Sequence, residues 1–331
     1  MIICRTPVRI SLGGGGTDLP SYYRQYGGFL IAGAINKYVH ICCTKRFEEQ
    51  IRLSYSETEI VDNISQISHI IFKEALRMTG IKNQVELVSI ADVPSNCGMG
   101  SSSSFTVSLL YALHSYSGEF ISKKNLAEKA CRLEIDNLGE PIGKQDQYIA
   151  TFGGITAFTF NMDDSVTVEP LNMREEDIEE FNKNVLLFFT GIKRSASNIL
   201  RKQNDSTKQK DSNVIDRLHR IKEMGYECRE SLESGDLDRF GELLHEHWIT
   251  KKGLNNDISL EPIDEAYEEA RNLGAMGGKL IGAGGGGFLM IYTSNNHRNI
   301  IKAMQKKGLK YMRYNFDFEG SKIITNYRSI Y

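Results

Sequence analysis

Three glycine-rich segments and two spaced acids hold the residue types that could do chemistry in this chain. The segments are RISLGGGGTDLP (9–20), GMGSSSS (98–104) and GKLIGAGGGGF (278–288). Glycine inside a helix or strand costs about 0.5–1 kcal/mol relative to alanine, so three dense clusters imply backbone brought close to something else. Phosphate is the usual partner. GMGSSSS lies between a strand-like run, VELVSIADVP (85–94), and a helix-like run, FTVSLLYALHSY (105–116). Free N–H groups at a helix N-terminus, reinforced by aligned peptide dipoles, bind anionic oxygens without needing a lysine. Ser101 and Ser102 could donate to phosphate or place a hydroxyl on Mg²⁺; alternatively one of them is simply the helix N-cap.

The second informative piece is CRLEIDNLGEPIGKQDQYIATFGG (131–154), with Glu134 on a helical pattern and Asp146 twelve residues later, beyond a Gly/Pro turn. Phosphoryl transfer needs oxygen ligands for Mg²⁺ and an acceptor near the attacking hydroxyl, and a Glu/Asp pair suits both jobs. The plainer alternative is that both are solvated surface charges. Asp18 and Arg9 flank the first tetraglycine: a carboxylate able to hold sugar hydroxyls, and a permanent cation able to offset phosphate charge or merely to cap a sheet edge.

Other nucleotide signatures fail. No Walker A motif occurs, since GEPIGKQ (139–145) and GAMGGKL (274–280) have the wrong spacing and no hydroxyl after the lysine. GxGxxG at 282–287 is nearly automatic in so glycine-rich a run, and no acidic residue follows at the expected distance. Kinase motifs of the HRD and DFG type are absent. HEHW (245–248) does not read as a zinc site, because helical residues two apart do not share a face. Cys97 has no neighbouring base and reads as a small residue tolerated in its loop.

These residues need a scaffold. With 331 residues the chain falls in the range where one core tends to split, and two domains are expected. Charged residues make up 25% and nearly balance, Lys+Arg 40 against Asp+Glu 42, which argues against a nucleic-acid or membrane-surface partner and for a small molecule. No apolar window approaches the ~20 residues of a membrane span, the N-terminus lacks a signal-peptide core, and the six cysteines form no CxxC pair. A cytoplasmic protein with reduced thiols is expected, and homodimerisation is left open.

Strand patterns at 1–12, FLIAGAI, YVHICCT, IRLSYS and 85–91 suggest a meander or mixed sheet, with helices at 65–79, 101–116 and 122–137. The acidic stretch 161–184 reads as a connecting segment, placing the domain boundary near 170: 1–170 and 171–331. The second half opens on VLLFFTG (185–191), passes through helices near 207–234, 236–251 and 260–273, and returns to strands around 278–294, a helix near 296–308 and strands at 310–317 and 322–327. That mixture is α+β.

Taken together, TPVRISLGGGGTDLP, VPSNCGMGSSSS and KLIGAGGGGF, in that order, resemble the three motifs of the GHMP small-molecule kinases over nearly the whole chain. Within that family, GGGGTDLPSYY, INKYVH, IGKQDQYIATFGG, TGIKRSASNIL and GKLIGAGGGGF are most similar to the D-glycero-D-manno-heptose 7-phosphate kinases, with fucokinase-like sugar 1-kinases as neighbours. The resemblance implies a ribosomal S5 domain 2-like N-terminal domain and a ferredoxin-like C-terminal domain, with ATP and Mg²⁺ in the cleft. It implies Asp146 as catalytic acceptor with Arg9 beside it. The ATP-phosphate loop would comprise Pro94, Gly98, Met99, Gly100, Ser101, Ser102 and Ser103, and Mg²⁺ would sit on Ser102 and Glu134. Asp18 with Gly16 and Thr17 would hold the sugar, and Gly284, Gly285 and Gly286 would close beside it. Two departures stand out: Met99 replaces the usual Leu, and Ser103 stands where Ala is common. Lys193 and Arg194, at the strand end TGIKRSAS, are candidates for a second phosphate on the substrate, ahead of Lys251 and Lys252.

Overall fold

The computed structural model describes residues 1–192, 196–255 and 257–327. In chain order the first half runs β1 (Ile2–Gly13), α1 (Pro20–Tyr26), β2 (Gly28–Lys45), β3 (Ile51–Ser54), β4 (Thr58–Val61), α2 (Ile70–Thr79), β5 (Val85–Ala91), α3 (Ser101–Ser117) and α4 (Lys123–Cys131). A π-helical turn (Arg132–Asn137) extends α4, followed by α5 (Gln145–Phe152), β6 (Ile155–Phe160) and β7 (Val166–Pro170). The second half runs α6 (Glu175–Asn184), β8 (Val185–Phe189), α7 (Ala196–Lys208), α8 (Ser212–Ser234), α9 (Leu237–Lys252), α10 (Glu261–Asn272), β9 (Gly277–Leu280), β10 (Phe288–Tyr292), α11 (His297–Lys306), β11 (Lys310–Met312) and β12 (Lys322–Asn326).

Among the described residues these strands make two sheets. The larger follows the order β12-β1-β2-β5-β3-β4, with β6 and β7 continuing from the first part of β2; the smaller is β11-β8-β10-β9. β3 pairs with β5 in parallel and the other pairings of the large sheet are antiparallel, so it is the mixed sheet expected. The architecture is the expected mixture of helix and strand. FLIAGAI and YVHICCT are not separate strands, however. They form one 18-residue β2 that pairs with β6 through its first part and β5 through its last, while β1 runs beside nearly all of it. The Asn36–Lys37 interruption is absorbed by a register shift opposite Pro7/Val8, since a bulge lets a long strand bend without ending. Nor is 161–184 a plain connector, for it contains β7 and α6.

The chain's two ends meet in the large sheet: β12 pairs antiparallel with β1, so a strand of the second half completes the first. We propose 170, the end of β7, as the division between the domains, with β12 crossing back. One apolar cluster joins them. It contains Leu12, Phe29 and Ile31 of the large sheet, Met224 and Cys228 of α8, Leu244 of α9 and Met290 of the small sheet, all fully buried. An interface of this apolar kind holds two layers in one arrangement rather than letting them swing freely. α3 packs on the large sheet through Val107, Leu110 and Leu113, in one cluster with Ile41 and Leu87, which fixes where its N-terminus points.

Candidate active site

The N-terminus of α3 opens into a cleft of about 260 Å³ between the halves. Gly98, Gly100, Ser101, Ser102 and Ser103 line it. Gly100 is the N-cap residue, in the left-handed region at φ 71°, and no side chain caps the helix, so the serines are not spent on that task. A Cβ at Gly100 would stand 2.9 Å from Asp146 Oδ2, which leaves room only for glycine.

Arg9 projects from β1 beneath this loop and is buried. Its Nε donates to Asp146 Oδ1 at 2.8 Å and its Nη2 to Asp146 Oδ2 at 2.8 Å, while Nη1 donates to the Gly98 carbonyl. Its backbone N–H also donates to Met99 O at 3.0 Å. A planar guanidinium is suited to this two-pronged hold, which fixes the carboxylate in orientation as well as in charge. Asp146 lies in the first turn of α5, where aligned peptide dipoles favour a negative charge.

Glu134 is turned inward by the π-helical turn, marked by the Leu138 N–H donating to Leu133 O at 3.1 Å. Ser102 Oγ donates to Glu134 Oε1 at 3.3 Å and Gln147 Nε2 to Glu134 Oε2 at 2.6 Å. Burial, with Asp146 adding repulsion against the hydrogen bonds from Gln147 and Ser103, raises the Glu134 carboxyl to about 7. Asp18 accepts the N–H of Gly16 at 3.2 Å and of Gln145 at 3.1 Å, and burial raises its pKa, as does the charge of Asp146.

Arg9, Gly16, Asp18, Gly98, Gly100, Ser101, Ser102, Ser103, Glu134 and Asp146 thus line one cleft. Six others stand apart. Pro94 is exposed, Met99 is buried in the core, and Thr17 spends its hydroxyl on the Gly14 and Phe29 carbonyls. Gly284, Gly285 and Gly286 pack against Ile258 and Ile192, and the third glycine run reaches the cleft through Gly282 and Ala283. A Cβ at Gly282 would meet the Gly98 backbone at 2.6 Å, so two of the three glycine clusters are partly explained by each other. Lys193 and Arg194 lie outside the described residues. Lys252 pairs with Asp264 at 3.0 Å and sits over the Trp248 ring, away from the cleft. His245 bonds Tyr267 Oη at 2.7 Å, while His247 is fully buried, so the two do not converge.

Several cleft residues carried no signal in the sequence. Gln145 and Gln147 flank Asp146; buried Gln145 Nε2 and Gln147 Oε1 have no partner among the described residues. Gln203 of α7 donates to Gly16 O at 3.1 Å, and Ile70, Ile71 and Leu138 form apolar walls. Lys251, ranked in the sequence behind Lys193 and Arg194 as a phosphate candidate, does reach the cleft from the end of α9. No motif spacing singles out Ile70, Ile71 or Gln203, because α2 and α7 bring them in from other parts of the chain.

The uncapped α3 terminus can accept an anion, and a carboxylate gripped by a guanidinium stands at its mouth. Residues 52–154 match the model of the GHMP kinases N terminal domain and 228–310 that of the GHMP kinases C terminal, together more than half of the chain. The chain belongs to the GHMP kinase family and is a homologue of its sugar kinases. It is 29% identical to the D-glycero-alpha-D-manno-heptose 7-phosphate kinase of Campylobacter jejuni, over 96% of this chain and 97% of that one. It is also 29% identical to the bifunctional fucokinase/GDP-fucose pyrophosphorylase of Arabidopsis thaliana, over 87% of this chain but only 29% of that longer protein. The crystal structure of a D-glycero-D-manno-heptose 1-phosphate kinase from Bacteroides thetaiotaomicron has the same fold, with a TM-score of 0.82 at 24% identity over 99% of this chain and 100% of that one. No helix among the described residues is long and apolar enough to cross a membrane.

Proposed function

We propose that this protein transfers the γ-phosphoryl group of ATP to the anomeric hydroxyl of D-glycero-D-manno-heptose 7-phosphate, giving the 1,7-bisphosphate for nucleotide-activated heptose and surface-polysaccharide synthesis in the cytoplasm. The observation that carries the reading is the Arg9–Asp146 pair at the mouth of the α3 terminus, with Asp18 in the same cleft. Similarity to a heptose 7-phosphate kinase over nearly the full length of both chains supports the acceptor.

In this reading the N-terminal amides of α3 hold the phosphates, and Ile70, Ile71 and Leu138 face the adenine. Asp18 binds and orients acceptor hydroxyls. Asp146 orients the anomeric hydroxyl and takes its proton as the new O–P bond forms and the bond from γ-phosphorus to the ADP oxygen breaks. An anomeric hydroxyl is more acidic than an ordinary alcohol, which gives orientation a large share of the work of Asp146. The donor set suits Mg²⁺: the hydroxyl of Ser102 and the carboxylate of Glu134 are hard oxygen ligands within 3.3 Å of each other. When bound there, Mg²⁺ would neutralise charge on the phosphates.

A Glu134 carboxyl raised to about 7 must lose its proton to bind a cation, so Mg²⁺ affinity in the presence of nucleotide should increase as pH rises from about 6 to 8. Without metal the sign is opposite for folding: the native state holds the proton more tightly, and this group's contribution to stability declines as pH rises from 4.5 through about 7. Glu134→Ala should raise the Mg²⁺ concentration needed for half-maximal rate and abolish that pH dependence; an unchanged titration counts against the assignment.

A coupled ADP-release assay across heptose 7-phosphate, fucose, galactose and mannose derivatives tests the acceptor. Preference for fucose would move the reading to a fucokinase-like enzyme, which the similarity to the Arabidopsis protein supports as the second choice. If Lys193 and Arg194 hold the 7-phosphate, neutralising both should raise KM for the phosphorylated sugar at least ~10-fold more than for the free sugar. Equal losses would dismiss them.

A further inference from the structure

Lys251 is a buried ammonium that the motifs do not explain. It ends α9, in the second half of the chain, yet lines the cleft with Arg9, Asp18 and Asp146. One of its N–H groups donates to the carbonyl of Gly282, the residue whose backbone rests on Gly98 of the phosphate loop. Two N–H groups remain for whatever enters. Arg9 is more fully committed, with three donor contacts to Asp146 and Gly98.

Resting on the kinase reading above, we propose that Lys251 is the second cation of the transfer centre, binding the γ-phosphoryl group from the side opposite the α3 terminus and neutralising charge as it transfers. Its position explains why the third glycine run packs on the phosphate loop: Gly282 ties Lys251 to Gly98, so the cation and the loop are held in one register. A planar phosphoryl group in a loose transition state spreads charge over three oxygens, and donors on two sides of it are more effective than donors on one.

The surroundings agree. Burial and the neighbouring Arg9 charge lower the Lys251 pKa to about 8, opposed by Asp18. Lys279 of β9 donates to Leu12 O at 3.2 Å, and burial together with the Lys251 charge lowers it to about 7; it does not line the cleft. His247 is fully buried and held neutral by desolvation and by both lysines. An ammonium set beside Arg9 and Lys279, with Asp18 opposing them, is stabilised by an arriving polyanion.

The test uses the full chain with Lys251→Met and Lys251→Arg. The Met variant should keep the native melting temperature within a few degrees, lower kcat at least ~30-fold and change acceptor KM little. It should also lose at least ~10-fold in affinity for AMP-PNP while binding ADP as the wild type does, a comparison that needs no acceptor. The Arg variant should recover most of both losses. If the preferred sugar is not a heptose phosphate, the kcat comparison runs on whichever sugar the wild type phosphorylates. A folded Met variant with kcat within about threefold of wild type and unaltered AMP-PNP affinity overturns the proposal. So does a loss confined to KM for a phosphorylated acceptor, which would assign Lys251 to the acceptor's own phosphate.

Discussion

Asp146→Asn lowers kcat by at least ~10²-fold, while affinity for ADP stays close to that of the wild type. The amide keeps the size of the carboxylate and one carbonyl oxygen for Arg9, so the cleft retains its shape. What it loses is proton acceptance and a full negative charge. It also turns an NH₂ toward a guanidinium whose Nε and Nη2 both donate, at 2.8 Å, to the carboxylate of the wild type. In the proposed reading the α3 terminus, a separate set of donors, holds the nucleotide phosphates, which is why binding and turnover should part company. Pre-steady-state and steady-state rates with a saturating sugar acceptor, together with calorimetric ADP binding, measure both halves. Near-normal kcat would remove Asp146 from the chemistry.

Arg9→Met should be the more damaging substitution, lowering kcat at least ~10³-fold and weakening the fold as well. Arg9 joins three things that the reaction needs in one geometry: the orientation of Asp146, the path of the loop at Gly98, and a fixed positive charge beside both. Its side chain is 6% exposed and that of Asp146 24%, so the pair is largely shielded, and removing one partner leaves the other charge uncompensated at a cost of ~3 kcal/mol. Urea unfolding reads that loss. Arg9→Lys restores the charge without the fork and should recover stability better than rate, since one ammonium cannot reproduce two parallel contacts. A Met variant within tenfold of wild-type kcat would show that Arg9 serves packing alone.

Much of this site was legible in the order of short motifs. The Gly/Ser loop announced an open helix terminus because its composition, between a strand pattern and a helix pattern, already determines the local backbone. Glu134 and Asp146 could be named as candidates because acids of the right type sat near that loop. Whether they were solvated surface charges could not be told until burial was known. Glu134 is inward only because α4 ends in a π-helical turn, and no residue pattern in RLEIDN demands one. The glycine runs show the same division. Their density signalled close approach, but whether a given glycine approaches ligand or backbone depends on what the fold sets opposite. Gly16 and Gly282 line the cleft, whereas Gly284 and Gly286 meet Ile258 and Ile192.

By itself, then, the sequence determined the membership in a family of non-Walker kinases, the main helices and strands, and the side chains with the chemistry to transfer a phosphoryl group. The membership rests on the resemblance of three motifs in their order, the elements on hydrophobic period, and the rest on side-chain type, all properties of short stretches. The tertiary structure alone decided that Arg9 grips Asp146 from 137 positions away, that β2 is one long strand, that β12 closes the first sheet, and that Lys251 enters the cleft from the far half. Such pairings are selected by the packing of one shared apolar core around α8, α9 and both sheets. That core brings together residues whose separation along the chain carries no local trace of their contact.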